Sequence, residues 1–155
     1  MPSEQSQRDL IASMKLVAIP DLIRDKRIVI CDDSIVRGTQ LRNLVKEKLL
    51  AYGAKEVHLR IACPPLIFPC LYNQSTRTTK ELAARKAIRI LEGDGIQDVT
   101  PYLDKASPKY QQMIETITRD LGAHSLVYQR LEDMASAIGL PVDKICTFCW
   151  TGQVS

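Results

Sequence analysis

The stretch that decides the fold is RIVICDDSIVRGTQ, residues 27–40. It begins with a short continuous apolar run at residues 28–31, which is typical of a strand that is buried on both faces in a parallel sheet. Two adjacent carboxylates follow, Asp32 and Asp33, and then a loop of small residues that ends in Gly38-Thr39. We therefore predict a strand whose carboxyl end opens into a ligand-binding loop.

The chain after this loop has the pattern of a helix and then of a second strand. Apolar residues recur every three or four positions and define one helical face, with Gly53 as its expected stop: Leu41, Leu44, Val45, Leu49 and Tyr52. Apolar and polar residues then alternate over residues 57–61, as in a strand. The two strands and the helix between them form a β-α-β unit, which indicates the α/β fold class.

The remaining sequence predicts further helices and one short strand. Prolines at positions 64, 65 and 69 indicate a loop over residues 63–76. Helical patterns follow, one ending at Gly93 and Gly95 and one running from Ser107-Pro108 to Gly122. SLVY, residues 125–128, is expected to be a short strand, and a last helix precedes Gly139. We expect a single domain over residues 1–155, with a parallel β-α-β core and a helical carboxyl-terminal portion.

Composition excludes several classes of protein. The 155 residues are 45% hydrophobic and 25% charged, and the net charge is +3, so the chain should fold around one core. Only 5% of residues are aromatic and the basic residues are dispersed, which does not favour nucleic-acid binding. No apolar run is long enough to cross a bilayer, and the amino terminus lacks the apolar core of a signal peptide. We therefore expect a cytoplasmic protein without membrane or nucleic-acid partners.

The loop after the first strand carries the candidate binding chemistry. Backbone N–H groups left unpaired as the chain turns into a helix can cradle a phosphate, and the hydroxyls of Ser34 and Thr39 can add hydrogen bonds. Asp32 and Asp33 can accept hydrogen bonds from sugar hydroxyls or hold Mg²⁺. The predicted substrate-binding residues are Asp32, Asp33, Ser34, Ile35, Val36, Arg37, Gly38 and Thr39, and the predicted ligand is a sugar phosphate.

Two other interpretations of this loop remain open. In the first, the two carboxylates have no role other than to cap a helix, and Gly38-Thr39 has no role other than to turn the chain. Alternatively, VICDDS resembles the acidic pocket of a response-regulator receiver domain, which holds Mg²⁺ beside a phosphorylated aspartate. That interpretation requires a helix directly after the pocket, where Gly38 fits badly. It also requires a later acceptor aspartate, and YNQSTRTTK, residues 72–80, has none.

The motif as a whole resembles the phosphoribosyl-pyrophosphate signature of type I phosphoribosyltransferases. DDSIVRGT is specifically similar to that of the glutamine phosphoribosylpyrophosphate amidotransferase family. Other stretches resemble the carboxyl-terminal portion of that family, in order: MKLVAIPDLIRDKR, GAKEVHLRIACPP, PCLYN, LGAHSL and CTFCWTG. The resemblance implies a partial type I phosphoribosyltransferase fold. Residues 84–118 are expected to be a helical extension, and the sequence has no glutaminase domain.

The resemblance also implies a reaction. In that family ammonia displaces pyrophosphate from C1 of phosphoribosyl pyrophosphate in purine synthesis, with Mg²⁺ bound to the pyrophosphate, so the ligand would be this compound or a nucleoside monophosphate. No residue is assigned as catalytic, because the site acts by positioning. The family's earlier strands and closing loop are absent here, and Gln40 and residues 73–75 depart from its pattern. A non-catalytic regulatory module is therefore the alternative, and we expect a homo-oligomer or a glutaminase-bearing partner chain.

The five cysteines form the other candidate site. Cys146 and Cys149 have the C-x-x-C spacing, which in an untargeted protein indicates metal or redox chemistry rather than a disulfide framework. By resemblance, Cys70, Cys146 and Cys149 correspond to three of the four ligands of a 4Fe–4S cluster, with Cys63 or Cys31 as substitutes for the fourth. Buried thiols and a zinc site are the alternatives. His58 and His124 have no partner at ligand or triad spacing.

Overall fold

The computed structural model describes residues 18–72, 76 and 78–153. In these residues, three parallel strands lie in the order β1-β2-β3. The helices are α1 (Pro20–Ile23), α2 (Thr39–Asn43, continued by a π-helical stretch, Leu44–Leu50), α3 (Ala83–Glu92), α4 (Pro108–Leu121), α5 (Leu131–Ile138) and α6 (Phe148–Thr151). The strands are β1 (Arg27–Asp32), β2 (Glu56–Ile61) and β3 (Ser125–Tyr128), and short 3₁₀ turns cover Thr79–Glu81, Thr100–Tyr102 and Val142–Lys144. None of the described helices is long and apolar enough to cross a membrane.

The β-α-β unit forms as predicted. β1 and β2 pair in parallel, with Ile30 opposite Leu59, and α2 with its π-helical continuation connects them. Val45 and Leu49 are buried beneath the sheet, as the helical periodicity requires. Tyr52 was wrongly assigned to this apolar face: it follows the end of the helix and is 38% exposed.

The second half of the chain also follows its sequence signals. Helix α4 begins where the Ser107 hydroxyl accepts a hydrogen bond from the Lys109 N–H and where Pro108 takes the first helical position. It ends at Gly122, which has a left-handed φ of 75°. Met113 and Leu121 of this helix are completely buried. Of the loop predicted over residues 63–76, residues 63–72 have no regular structure. Residues 73–75 of that loop lie outside the described part of the chain.

The prediction that β1 is buried on both faces is wrong. The strand alternates between exposed and partly buried residues, and Val29 is 60% exposed. Among the described residues β1 is an edge strand, and the buried residues of β2 and β3 all lie on one face of the sheet. We call the other side the open face. Its residues, read across the three strands in register, are Arg27, Val29, Cys31, Glu56, His58, Arg60, Ser125 and Val127.

Candidate functional site

The two carboxylates lie together at the carboxyl end of β1. The Asp33 N–H donates to Asp32 Oδ1 at 2.9 Å, and the Ser34 hydroxyl donates to Asp33 Oδ2 at 3.3 Å. Burial raises the pKa of Asp32 above its ordinary range, and the hydrogen-bonded Asp33 carboxyl raises it further. A cation bound between the two groups would relieve this like-charge contact.

The backbone N–H groups of the loop remain available for a ligand. Within the described part of the chain, the N–H groups of Ser34, Ile35, Val36, Gly38 and Thr39 donate no hydrogen bond. The loop is instead anchored through its carbonyl groups, which accept hydrogen bonds from residues on α3 and α2. The Val36 carbonyl accepts from the Ala83 N–H at 2.7 Å, and the Gly38 carbonyl accepts from the Arg42 N–H at 2.9 Å. An array of unpaired donors beside a helix start favours an anion.

The shape of the loop depends on Gly38 and on the burial of Ile35. Gly38 is buried with a left-handed φ of 79°, and a Cβ atom there would lie 3.2 Å from Leu121 Cδ2. The Ile35 side chain is 3% exposed and belongs to the core, so only its backbone can contact a ligand. These two residues hold the loop against the helices.

Arg37 forms an ion pair with Glu81 in the 3₁₀ turn that precedes α3. Its guanidinium donates two hydrogen bonds to Glu81 Oε2, from Nε at 2.8 Å and from Nη2 at 2.5 Å. Both side chains are about half exposed, so the pair contributes little to stability.

The raised pKa of Asp32 predicts an effect of pH on stability. A carboxyl with a raised pKa in the folded state contributes stability below its ordinary pKa, and this stability is lost as the pH rises through the raised value. We expect Asp32→Asn to raise the thermal midpoint at neutral pH, and we expect the difference to disappear in acid, where Asp32 is protonated. Thermal unfolding followed by circular dichroism at both pH values measures this.

Asp98 supplies a control for which the expected change in the thermal midpoint has the opposite sign. The Thr100 N–H donates to Asp98 Oδ1 at 2.9 Å and lowers the pKa of Asp98. Because the pKa of Asp98 is lowered in the folded state, its ionised carboxylate stabilises the fold above its ordinary pKa, and this stabilisation is lost in acid. Asp98→Asn should therefore lower the thermal midpoint at neutral pH. A fall in the midpoint for Asp32→Asn as well would contradict the assignment of Asp32.

The structure brings two of the predicted cluster ligands together. The thiols of Cys70 and Cys149 are in hydrogen-bond contact, and burial raises the pKa of Cys149 to about 11. Cys146 is exposed and lies close enough to affect Cys149 electrostatically. Among the described residues, however, no three histidine, cysteine or acidic side chains form a group that could hold a metal ion.

The two substitute ligands lie in different places. Cys31 is exposed on the open face of the sheet. Cys63 is buried near the carboxylate pair; burial chiefly raises its pKa to about 11, and the charges of Asp33 and Asp32 also raise it. The indole N–H of Trp150 is adjacent to Cys63 but forms no hydrogen bond of good geometry.

Sequence reasoning missed two features of the described structure. A cleft of about 860 Å³ lies beyond the ends of β2 and β3, between Pro65, Tyr110, Arg130 and Trp150. On the open face, His58 contacts both Glu56 and Ser125, although no partner for it was predicted. The Glu-x-His spacing was the only signal in the sequence for the contact between Glu56 and His58, because residues at positions i and i+2 of a strand lie on the same face.

Comparison with known proteins identifies relatives over almost the whole chain. The chain is 36% identical over 153 residues to an amidophosphoribosyltransferase of Methanocaldococcus jannaschii, a match that covers 99% of this chain and 26% of the relative. It is 34% identical over 149 residues to the Mycobacterium tuberculosis amidophosphoribosyltransferase, covering 96% of this chain and 24% of the relative. No protein-family model matches the chain. The chain thus spans about a quarter of the length of these curated relatives.

The structural comparison agrees with the sequence comparison. The glutamine phosphoribosylpyrophosphate amidotransferase of B. subtilis, complexed with ADP and GMP, superimposes with a TM-score of 0.64 at 30% identity, over 99% of this chain and 29% of that one. A second structure, described as the allosteric regulatory enzyme of purine biosynthesis, has the same TM-score and identity and is covered over 28% of its length. Along nearly its whole length the chain is therefore homologous to a segment of the amidophosphoribosyltransferases and shares the type I phosphoribosyltransferase fold of that segment, as its sequence resemblance predicted.

Proposed function

We propose that residues 32–39 bind the phosphoribosyl group of 5-phosphoribosyl 1-pyrophosphate, for the transfer of ammonia to C1 in purine nucleotide synthesis. The observation that carries the proposal is the row of unpaired N–H groups in the loop, next to two carboxylates. The N–H groups of residues 34–39 and the hydroxyls of Ser34 and Thr39 bind the 5-phosphate. Asp32 and Asp33 accept hydrogen bonds from the two ribose hydroxyls.

Such a site accelerates the reaction by positioning. Displacement of pyrophosphate from C1 passes through a transition state with a developing positive charge on the sugar ring, which needs little covalent assistance. A ribose held at its hydroxyls and at its 5-phosphate presents C1 in one orientation to the incoming ammonia. No side chain of the loop is assigned to proton transfer, and Arg37 is paired with Glu81.

Magnesium fits the donor set of this loop. Asp32 and Asp33 supply adjacent carboxylate oxygens, the ligands that Mg²⁺ prefers. Burial chiefly raises the pKa of Asp32, with a further contribution from the Asp33 carboxyl, and a bound cation would offset both effects. When bound, Mg²⁺ would neutralise negative charge on the pyrophosphate leaving group. The chain's own contribution is to hold the carboxylates at the end of β1, next to the phosphate-binding N–H groups.

An iron–sulfur cluster does not fit the described residues as a self-contained site. Cys70 and Cys149 are in contact, but no three donors form a metal-binding group in the described ranges. We therefore derive no part of the proposed reaction from iron. Cys70, Cys146 and Cys149 remain the proposed ligands of a cluster that needs a further donor.

We further propose that the chain acts in association, either with a second copy or with a glutaminase-bearing chain. Among the residues that the structure describes, the outer edge of β1 is unpaired, and such an edge is a template for pairing with another polypeptide. Residues 84–118 are proposed as a helical extension relative to common members of the family. The cytoplasm is the proposed location, as expected for an enzyme of nucleotide synthesis.

A second candidate function is nucleotide binding without turnover. It is favoured by the B. subtilis relative, whose structure was obtained with ADP and GMP. In that case the loop would bind the ribose 5-phosphate of a nucleoside monophosphate, using the same donors. The two candidates differ in whether pyrophosphate is released.

Two measurements on the purified chain separate the candidates. Thermal unfolding with Mg²⁺ and phosphoribosyl pyrophosphate should show a stabilisation that grows with ligand concentration, since a ligand at ~100 times its dissociation constant adds about 2.7 kcal/mol. Pyrophosphate release in the presence of ammonium then identifies a transferase, whereas stabilisation by GMP without release identifies a binding module. If neither phosphoribosyl pyrophosphate nor GMP stabilises the wild-type chain more than the Asp32→Asn, Asp33→Asn double variant, the proposed site is wrong.

A further inference from the structure

The loop of residues 34–39 is held in place by the segment that leads into α3. The Val36 carbonyl accepts a hydrogen bond from the Ala83 N–H at 2.7 Å, and the next residue, Arg37, is paired with Glu81. A Cβ atom on Gly38 would lie 3.8 Å from the Ala83 Cβ, so the third loop residue also packs against this segment. Three successive residues of the proposed binding loop thus contact residues 81 and 83.

The 3₁₀ turn that carries Glu81 is itself fixed to the protein. Leu82, which follows the turn, is 1% exposed, and its N–H donates to the Thr79 carbonyl at 3.3 Å. From the other side, Arg89 Nη2 of α3 donates to the Lys80 carbonyl at 2.8 Å. A side chain on an anchored element can hold a loop in one conformation, because its own backbone does not move with the loop.

The ion pair between Arg37 and Glu81 is suited to orientation rather than to stability. Arg37 Nε and Nη2 both donate to Glu81 Oε2, and two hydrogen bonds from a planar guanidinium restrict its rotation. The two side chains are 47% and 46% exposed, so solvent screens the attraction between their charges and the pair adds little to the free energy of unfolding. Its effect is on the backbone of residue 37, which lies between the unpaired N–H groups of Val36 and Gly38.

Loss of Glu81 has two opposing consequences for an anionic ligand. It releases the Arg37 guanidinium, whose positive charge attracts a phosphate, and it removes a restraint on the N–H groups of the loop. A half-exposed guanidinium on a flexible side chain gains little from a phosphate in water. A row of donors that must first be ordered binds more weakly than one already in place, because the ligand has to offset the ordering. The second consequence therefore outweighs the first.

We propose that Glu81 is a positioning residue of the phosphate-binding loop. It holds Arg37, and through Arg37 the backbone of residues 36–38, in the conformation in which the loop N–H groups bind the 5-phosphate. Glu81 acts through Arg37 and is assigned no contact with the ligand. The identity of the ligand rests on the proposed function, whereas the contact of the loop with Ala83 can be measured without any ligand.

The first test measures hydrogen exchange of the Ala83 amide by NMR in the ligand-free chain, because this N–H is protected by the Val36 carbonyl. Glu81→Ala and Arg37→Ala should each speed its exchange about threefold, a factor within the range of exposed ion pairs. The double variant should exchange no faster than either single variant, since both remove the same contact. Asp133→Asn is the matched control: Asp133 is 47% exposed and paired with Arg130 on another helix, and its substitution should leave Ala83 exchange unchanged.

The second test measures binding of phosphoribosyl pyrophosphate with Mg²⁺ by isothermal titration calorimetry. Glu81→Ala should weaken binding about tenfold, because donors displaced by a fraction of an ångström no longer fit one phosphate. Glu81→Gln keeps an oxygen that accepts from Arg37 and should recover most of the affinity. In the Arg37→Ala background, Glu81→Ala should cause no further loss. The thermal midpoint of Glu81→Ala should stay close to that of the wild type, which separates positioning from a general loss of structure.

Wild-type exchange of the Ala83 amide in both Glu81→Ala and Arg37→Ala would overturn the proposal. So would an affinity in Glu81→Ala that equals or exceeds that of the wild type, since the released guanidinium would then matter more than the order of the loop. Failure of the wild-type chain to bind phosphoribosyl pyrophosphate is a different result and refutes the proposed function. Faster Ala83 exchange in the two single variants would still support Glu81 as the residue that positions the loop.

Discussion

Replacing Gly38 with valine is expected to weaken binding of phosphoribosyl pyrophosphate by about 100-fold or more, equivalent to about 2.7 kcal/mol. Gly38 has a φ of 79°, where a β-branched residue is strained, and its Cβ atom would approach Leu121 Cδ2 to 3.2 Å. The loop must move to relieve the backbone strain and the close contact with Leu121. The N–H groups of residues 34–39 are then no longer arranged around one phosphate. Isothermal titration calorimetry with Mg²⁺ present measures the loss.

Gly93→Val is the matched control for this variant. Gly93 also has a positive φ, of 87°, but a Cβ atom there would meet nothing within 4 Å. It lies at the end of α3, outside the proposed site, so its substitution costs backbone strain without disturbing the loop. Wild-type affinity in Gly38→Val, or an equal loss in Gly93→Val, would show that the loop geometry does not determine binding.

Leu59→Ala is expected to destabilise the chain by about 2–5 kcal/mol. Leu59 is completely buried at the centre of the middle strand, opposite Ile30 of β1 and Leu126 of β3. Truncation removes apolar contacts on the helix-covered side of the sheet and leaves a cavity that the neighbouring strands cannot close. Urea unfolding at constant temperature, followed by circular dichroism, measures the change in the free energy of unfolding.

Val29→Ala on β1 provides the comparison within the same sheet. Val29 is 60% exposed on the open face, so its truncation should change the free energy of unfolding by less than ~0.5 kcal/mol. If Val29→Ala were as destabilising as Leu59→Ala, the open face would be covered in solution, and the one-sided packing of the sheet would be wrong.

The elements with local signals were predictable from the sequence. Helix α4 is an example, because Ser107, Pro108 and Gly122 mark its two ends and the apolar spacing marks its buried face. The exposure of β1 was not predictable in the same way. An apolar run of four residues indicates a strand, but whether one face or two are covered depends on elements that pack from elsewhere in the chain.

The candidate site shows the same difference between features with a local sequence signal and features that depend on tertiary packing. The carboxylates of Asp32 and Asp33 and the backbone N–H groups of the loop that follows them belong to a single contiguous motif, so their proximity could be predicted. The contact between His58 and Ser125 joins residues 67 positions apart and depends on the register of β2 and β3. A register of that kind is determined by tertiary packing and leaves no local pattern to detect.

The central claim is that the N–H groups of residues 34–39 bind the 5-phosphate of a phosphoribosyl group. Amide proton and nitrogen NMR shifts during a titration with ribose 5-phosphate and Mg²⁺ test it directly. The account predicts saturating shifts concentrated at residues 34–39, absent from a matched titration with ribose. Unchanged amides in this loop, or saturating shifts confined to the cleft beside Tyr110 and Arg130, would contradict it.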